Sequence, residues 1–431
     1  MSAAMRPCQD EAPSMIYGRQ TTLALENFPG GNRSVGNMRD FVRSYAMVKI
    51  AACRANADLG VIDRDRAVAI EAAAREIIDG THASQFPLPL VQGGGGTSTN
   101  MNFNEVIAAR ASQILREQGI DALVHPNDHV NASQSTNDTY PTAMALALLF
   151  MSAPTYEALS DLRAAFLAKA EEFDGQVRLG RTCLQDAVPL TVGQTHRAQA
   201  EAITRVLDQL KESIAGLASV SLGGTAVGTG LGAPEGYSQL AVDYLSEVSG
   251  QQLALSPDFF DSMAHLDPYS AVGSACARAA MVLAKISADF RLLSSGPRGG
   301  LGELALPALQ KGSSIMPGKV NPVIPELVMQ LSFRIRGAAA TVDLAVAAGE
   351  LELNVMEPVI LDALSSALKD LTDAARSLGD KCVAGMTWNS DALQRNLAGS
   401  RDLDVRVAAE AGYDRATAVE RERHQASHEM S

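Results

Sequence analysis

One short segment brings together two serine hydroxyls, two glycines and two lysines within twelve residues. It reads KGSSIMPGKVNP, from Lys311 to Pro322, and lies between segments with helical periodicity. Its glycines allow backbone N–H groups to converge on one point, where they stabilise negative charge. The segment therefore predicts a flexible loop that carries chemistry on an anionic substrate.

Three further clusters of small hydroxyl and amide side chains interrupt the apolar sequence. They read GGGGTSTNMN (93–102), NASQSTNDTYPT (131–142) and GRTCLQDAVP (180–189). Ser, Thr and Asn commonly cap helices or form turns, and that role would explain any one cluster alone. Four loops together with Lys319 predict a carboxylate-binding site that is distributed along the chain.

Other kinds of site are not supported. GTGLGA (228–233) opens no βαβ unit, so a dinucleotide site is not predicted. The segment 311–322, called the lysine loop below, has five residues between its glycines and Val320 after Lys319, unlike a phosphate-binding P-loop. The seven histidines lack metal-ligand spacing and the five cysteines form no CxxC pair. We therefore expect no cofactor and no metal.

Composition indicates the setting of the protein. A formal net charge of −13 argues against nucleic-acid and anionic-membrane partners, which require a basic surface. Scattered cysteines, odd in number, indicate reduced thiols. The apolar run TAMALALLFMSA (142–153) is too short to span a bilayer, and the N-terminus lacks the apolar stretch of a signal peptide. We expect a cytoplasmic protein.

The elements that position the clusters are predicted to be mainly α-helices. Two sets of apolar residues recur at three- and four-residue steps, namely Ile203, Val206, Leu207, Leu210, Ile214 and Leu217, and then Val282, Leu283, Ile286, Phe290 and Leu293. Strand-like alternation is absent at any length, which disfavours a β-rich or βαβ fold. Long helices rich in alanine are typical of a bundle shared between subunits. We expect three parts: a mixed, mostly helical domain 1–137, a long-helix domain 138–389 and a short domain 390–431.

GSSIMPGKVNP resembles the signature loop of the fumarase/aspartase superfamily, and the other clusters resemble its blocks in the same order. The resemblance extends from Tyr17 to Gly385. HPNDHVNASQSTNDTYPT, LQDAVP and LNVMEPVI are more similar to aspartases than to class II fumarases, which typically have lysine where Glu357 stands. The resemblance implies a three-part helical fold with a central bundle of long helices. It also implies a homotetramer whose sites are shared between three subunits.

The family reaction implied is the anti β-elimination of ammonia from L-aspartate, which gives fumarate through an aci-carboxylate. The resemblance assigns Ser313 as the general base, in a loop that closes over the substrate and excludes water. It also implies which residues bind the small dicarboxylate substrate. The aci-carboxylate would be bound by Thr97, Ser135, Thr136 and Ser314. The other carboxylate would be bound by Thr182, Lys319 and Asn321, and the leaving amine by Asn137.

Position 183 departs from the family pattern. It is cysteine where relatives have histidine or glutamine, and a thiol is a weaker hydrogen-bond partner than either. We place Cys183 among the substrate-binding positions, and a modified aspartate remains an alternative substrate. The chain is also shorter than the family pattern at both ends, so the domain 390–431 is expected to be truncated. A fumarate hydratase and a non-catalytic protein on the same fold remain alternatives.

Overall fold

The computed structural model describes residues 15–28, 30–31, 33–398 and 400–429. In these ranges the protein is mainly helical, which confirms the predicted class. The helices are α1 (Arg19–Asn27), α2 (Arg39–Asp58), α3 (Arg64–Ile78), α4 (Thr97–Glu117), α5 (Thr136–Glu172), α6 (Val192–Ala215), α7 (Tyr237–Ser249), α8 (Phe259–Ala264), α9 (Asp267–Leu293), α10 (Val323–Val346), α11 (Glu357–Leu378), α12 (Ser390–Leu397), α13 (Asp402–Ala411) and α14 (Tyr413–Glu429).

Six short strands form three two-stranded sheets within the described residues. The strands are β1 (Val177–Thr182), β2 (Gln185–Thr191), β3 (Ser219–Val220), β4 (Ala254–Leu255), β5 (Leu304–Ala305) and β6 (Thr387–Trp388). The pairs β1–β2 and β5–β6 are antiparallel, and β3–β4 is parallel. Only β1 and β2 exceed two residues, so the sheets serve as local braces.

The chain folds into two compact units, each drawn from three stretches of sequence. Unit 1 comprises Met1–Ala153, Lys211–Ser274 and Gly337–Leu368, and unit 2 comprises Pro154–Leu210, Ala275–Arg336 and Lys369–Ser431. All five boundaries between stretches fall inside long helices, namely α5, α6, α9, α10 and α11. The division into 1–137, 138–389 and 390–431 stays a prediction.

The apolar run 142–153, which is too short by itself to span a bilayer, is part of the much longer helix α5. By length and composition, α5 and α9 could each cross a membrane. However, 61% of the most apolar window of α5 and 50% of that of α9 are buried inside the protein. Such burial is typical of the core helices of soluble proteins.

An aromatic cluster forms the core of unit 1. Tyr45 on α2 stacks on Phe103 of α4 with ring centroids 4.4 Å apart, and Phe86 lies 4.3 Å from the same ring. Tyr140 of α5 packs 5.2 Å from Phe41. All five side chains are buried, and aromatic groups of this size contribute strongly to core stability. The cluster holds the first turns of α4 and α5 against α2.

A buried ion pair braces the β1–β2 hairpin of unit 2. Glu303 is fully buried and accepts two hydrogen bonds from the Arg181 guanidinium, at 2.7 and 3.1 Å. The Asn396 amide donates a third, at 2.7 Å. Removing one partner of such a pair leaves an uncompensated buried charge and costs about 3–5 kcal/mol. The end of β1 is therefore fixed relative to the segment that precedes β5.

Candidate active site

The start of α5 is built by a reciprocal cap. The Ser135 side-chain oxygen accepts the N–H of Asn137 at 3.2 Å, and the Asp138 carboxyl accepts the N–H of Ser135 at 3.0 Å. The arrangement is a variant of the capping box in which the Ser135 oxygen accepts the second helical N–H in place of the third. A helix start carries partial positive charge and free N–H groups, which favour an anion. Ser135, Thr136 and Asn137 thus lie where a carboxylate is attracted.

Asp138 fixes this helix start to a neighbouring loop. Its second carboxyl oxygen accepts the N–H groups of Gly223 and Thr225, at 3.1 and 3.0 Å. Burial raises the pKa of Asp138 to about 7, against the lowering effect of these backbone donors. Asn137 bonds the same loop, donating its amide to the Ala226 carbonyl at 2.7 Å. Sequence reasoning did not single out Asp138, although it stands next to the predicted residues.

The glycine cluster shapes the start of α4. Gly94, Gly95 and Gly96 have φ of +85°, +58° and +83°, a conformation that favours glycine. Gly96 is also required sterically, because a Cβ there would lie 2.1 Å from the Tyr140 ring. Thr97 follows as the first helical residue, and its hydroxyl donates to the Gly94 carbonyl at 2.9 Å.

The expectation that all four clusters are loops was wrong in part. The segment 97–102 forms about the first turn and a half of α4, and 136–142 forms about the first two turns of α5. The cluster 180–189 is mostly a β-hairpin. Hydroxyl and amide side chains suit helix starts because they satisfy free N–H groups there. The capping role and the proposed binding role are therefore compatible.

Glu357 is the first residue of α11 and is 1% exposed. Burial holds the pKa of this carboxyl well above its usual range. Burial raises the pKa values of Tyr140 and Tyr45, and the nearby Glu357 carboxyl raises them further. The Glu357 side chain makes no hydrogen bond with the residues that the structure describes. The Glu357 carboxyl is thus buried close to the aromatic core of unit 1.

Thr182 and Cys183 lie where the β1–β2 hairpin turns. Thr182 ends β1 and pairs with Gln185 of β2, so Cys183 and Leu184 form a two-residue turn. Both turn residues have positive φ, +54° and +60°, as the tightest hairpin turns require. All three side chains from 182 to 184 are exposed. The Cys183 thiol is therefore presented at a hairpin tip.

The lysine loop encircles Ser313. The Ser313 oxygen accepts backbone N–H groups of Ile315 and Met316, at 3.2 and 3.0 Å. The Asn321 amide donates to the Gly312 carbonyl at 2.9 Å, and the Gly312 N–H donates to the Lys319 carbonyl at 2.8 Å. The loop is therefore closed at its base, with two N–H groups aimed at one hydroxyl oxygen.

The outer side of this loop is open to solvent. Ser314 and Lys319 are exposed, and the Lys319 ammonium has no partner among the described residues. Ile315 is 83% exposed and Val320 is 48% exposed. Exposed apolar side chains beside an unpaired cation are typical of a loop that contacts a ligand or another protein surface.

The main feature that sequence reasoning missed is Lys49 of α2, which is fully buried. Its ammonium donates to Asn100 at 2.7 Å, Gln134 at 3.0 Å and Asn131 at 3.2 Å. Burial lowers the pKa of Lys49 to about 7, against the raising effect of Asp138. Its sequence signal is a single lysine inside the apolar stretch SYAMVKIAAC.

The ten predicted site residues divide between the two units. Unit 1 holds Thr97, Ser135, Thr136 and Asn137, and unit 2 holds Thr182, Cys183, Ser313, Ser314, Lys319 and Asn321. Within unit 1 they occupy the first turns of α4 and α5, linked through Asn100, whose amide donates to the Thr136 hydroxyl oxygen at 3.1 Å. Within unit 2 they occupy the hairpin tip and the lysine loop. Thr97, Ser314 and Lys319 are exposed, and Thr136 is buried.

The sequence is similar to that of known lyases. A family model described as Lyase matches residues 8–337. The aspartate ammonia-lyase of Escherichia coli strain K12 is 44% identical over 380 residues, covering 88% of this chain and 80% of that protein. The aspartate ammonia-lyase of Helicobacter pylori strain 26695 is 41% identical over 409 residues, covering 95% and 87%.

Solved structures show the same fold. A structure from Brucella melitensis described as fumarate lyase:delta crystallin bound to cobalt has a TM-score of 0.92 at 41% identity, covering 97% of this chain and 91% of that one. The class II fumarase of Schistosoma mansoni has a TM-score of 0.91 at 35% identity, covering 94% and 88%.

Proposed function

The chain belongs to the fumarase/aspartase superfamily of lyases, and on that premise we propose that it is an aspartate ammonia-lyase. The reaction removes a proton from the carbon next to one carboxylate of L-aspartate and expels ammonia from the adjacent carbon. The product is fumarate. The protein is thus a carbon–nitrogen lyase acting on a small dicarboxylate.

One arrangement carries the mechanism: the Ser313 oxygen with two backbone N–H groups directed at it. A serine alkoxide is normally too unstable to act as a base. Converging N–H groups lower its energy, as they do for an oxyanion in acyl transfer. Ser313 therefore takes the substrate proton, while the exposed Lys319 ammonium and Asn321, from the same loop, hold a carboxylate.

The aci-carboxylate formed by proton removal carries two negative charges, and its stabilisation is the main barrier. Neutral donors at a helix start supply that stabilisation without reorganisation. Ser135 and Thr136 supply hydroxyls at the start of α5. Thr97 supplies one at the start of α4 when its hydrogen turns from the Gly94 carbonyl to the substrate. In the proposed site, Ser314 adds a fourth hydroxyl, Thr182 assists at the second carboxylate and Asn137 holds the amine.

We propose a homotetramer in which three subunits contribute to each site. Support comes from α10, where Phe333 is 59% exposed and Leu344 is 75% exposed in the single chain. Large apolar side chains exposed on a long helix are typical of a subunit interface. Light scattering of the purified protein measures the assembly directly.

We also propose a cytoplasmic location. Three of the four cysteines that the structure describes, Cys53, Cys276 and Cys382, are buried, and burial raises the pKa of each to about 12. Such thiols are inert core side chains, which suits a reducing compartment.

Release of fumarate, followed by the absorbance of its double bond, tests the activity. The proposal expects fumarate from L-aspartate and little from L-malate. Fumarate from L-malate alone would identify a hydratase, and fumarate from neither substrate would indicate a non-catalytic protein. A panel of N-substituted aspartates in the same assay would reveal a modified substrate.

A further inference from the structure

A buried hydrogen-bond network lies directly behind the Thr136 hydroxyl. Lys49 is at its centre and donates to three side-chain oxygens, those of Asn100, Asn131 and Gln134. An ammonium group has three hydrogens, so its donors are fully used. Moving such a group out of water costs several kcal/mol, whereas an apolar side chain would fill the position without that cost. Packing alone therefore does not explain a lysine here.

The donors and acceptors of the network have a fixed direction. An ammonium group only donates, so the oxygen of the Asn100 amide must face Lys49 and its NH₂ must face away. That NH₂ donates to Asn131 at 3.0 Å and to the Thr136 oxygen at 3.1 Å. A flipped Asn100 amide would set two donors against each other. Lys49 thus determines which end of Asn100 meets Thr136.

This direction decides where the hydroxyl hydrogen of Thr136 points. The Thr136 oxygen already accepts from Asn100, so its own hydrogen must seek another acceptor. The hydroxyl of Thr136 donates to no residue that the structure describes. The hydrogen is therefore available to a ligand bound at the start of α5.

We propose that Lys49 is a positioning residue that, through Asn100, directs the Thr136 hydroxyl hydrogen at the substrate carboxylate. The inference rests on the proposed function, since it assigns Thr136 to the carboxylate that becomes the aci-carboxylate. Lys49 does not touch the substrate. Its role is to order a neutral donor before the substrate arrives, which is how preorganised sites stabilise developing charge.

A double-mutant cycle tests this relay. In the otherwise unchanged enzyme, Lys49→Met should lower kcat/KM for L-aspartate about 10- to 100-fold, mainly through kcat, because an aligned donor stabilises the aci-carboxylate most. In a Thr136→Val background the same change should cost about threefold or less, because no hydroxyl remains to orient. Equal losses in both backgrounds, or no loss in the first, would overturn the relay.

Two controls separate positioning from folding. Lys169 is also a buried lysine, and its ammonium donates to Glu172 and to the Met386 carbonyl. Lys169→Met should therefore destabilise the folded protein without a selective fall in kcat. Asn100→Asp keeps an acceptor for Lys49 but turns the Thr136 hydroxyl inward, since a carboxylate cannot donate to it. It should lower kcat at least tenfold while keeping the assembled protein. Full activity in Asn100→Asp would contradict the relay even where Lys49→Met fails to fold.

Calorimetric binding of succinate, a dicarboxylate with no leaving group, separates this inference from the proposed function. The relay expects Lys49→Met to weaken succinate binding several-fold, and only where Thr136 is present. If the unmodified protein binds succinate but forms no fumarate, the assigned reaction is wrong and the binding cycle still decides the relay. If it binds no succinate and forms no fumarate, both proposals fail.

Discussion

The Ser313 oxygen lies 3.0 Å from the backbone nitrogen of Met316 and accepts its hydrogen bond. The N–H of Ile315 points at the same oxygen from 3.2 Å. The hydroxyl predicted as the base therefore occupies a small oxyanion-binding turn, within a loop that also carries an exposed lysine. An alkoxide formed there is stabilised without any movement of the backbone.

Removal of this hydroxyl tests its role as the base. Ser313→Ala should lower kcat for L-aspartate by about 10³-fold, in the range that positioned acid–base groups contribute. Assembly and unfolding midpoint should stay unchanged, because the side chain is only half-buried and bonds only its own loop. Steady-state kinetics and light scattering measure both.

A matched control removes a hydroxyl outside the candidate site. Ser152 is buried in α5 and donates to the Leu149 carbonyl at 2.8 Å. Ser152→Ala should leave turnover unchanged. Normal turnover by Ser313→Ala would exclude this residue as the base.

A stronger hydrogen-bond partner at position 183 should improve substrate binding. Cys183→Gln and Cys183→His are each expected to lower KM for L-aspartate three- to tenfold, the effect of one neutral hydrogen bond. Cys183→Ala is the control, because it places a non-glycine residue at the same positive φ but supplies no side-chain hydrogen-bond partner. KM values that stay level or rise for both polar variants would show that position 183 does not read the substrate.

Two neighbouring glycines allow steric and conformational costs to be separated. Gly94 and Gly96 have nearly equal φ, +85° and +83°, but a Cβ at Gly94 meets open space and one at Gly96 meets Tyr140. Gly94→Ala should cost about 1 kcal/mol, from backbone strain alone. Gly96→Ala should cost about 3 kcal/mol more, since the ring must move within a packed core. Urea unfolding measures both, and equal losses would refute the close contact.

Acidification should destabilise unit 2 through His196, which is fully buried between Trp388 and Gln199. Burial lowers the pKa of His196 to about 4. Between pH 6.5 and about 4 the unfolded chain binds a proton that the native state does not. The free energy of unfolding therefore decreases as the pH is lowered through this window. The lowered pKa of His196 thus accounts for a loss of about 3 kcal/mol in the free energy of unfolding across the window.

His196→Gln removes the titrating group and keeps an acceptor for the Trp388 N–H, which lies 3.2 Å from His196. The free energy of unfolding of this variant should fall less steeply between pH 6.5 and about 4 than that of the parent protein. Parallel pH profiles would mean that the pKa of His196 is the same in the native and unfolded states.

Periodicity predicted the helices well because it reports on burial within a single element. Ile203, Leu210 and Ile214 are buried on α6, and Leu283 and Phe290 are buried on α9, as their spacing indicated. The hairpin 177–191 was not predicted, since its strands bury few side chains and show no clear alternation. Its turn uses Cys and Leu at positive φ, where glycine or asparagine is the usual signal.

The polar network of unit 1 lay beyond sequence reasoning for a different reason. Lys49 meets Asn100 and Gln134 across separations of 51 and 85 residues. No local pattern specifies which amide oxygens will surround a lysine so far along the chain. The residues for direct substrate contact came instead from the family resemblance, and the structure adds the groups that orient them.

The interleaved assembly of unit 1 has a consequence for how the protein is made. Its first stretch ends at Ala153, but its last stretch, Gly337–Leu368, includes Asp362, which pairs with Arg33 at 2.6 Å. At translation rates of roughly 5–20 residues per second, the early helices wait about 10–40 s for that partner to be synthesised. During that interval the surface of unit 1 that the last stretch covers is exposed. Newborn chains of this lyase are therefore expected to depend on chaperones that shield nascent polypeptides.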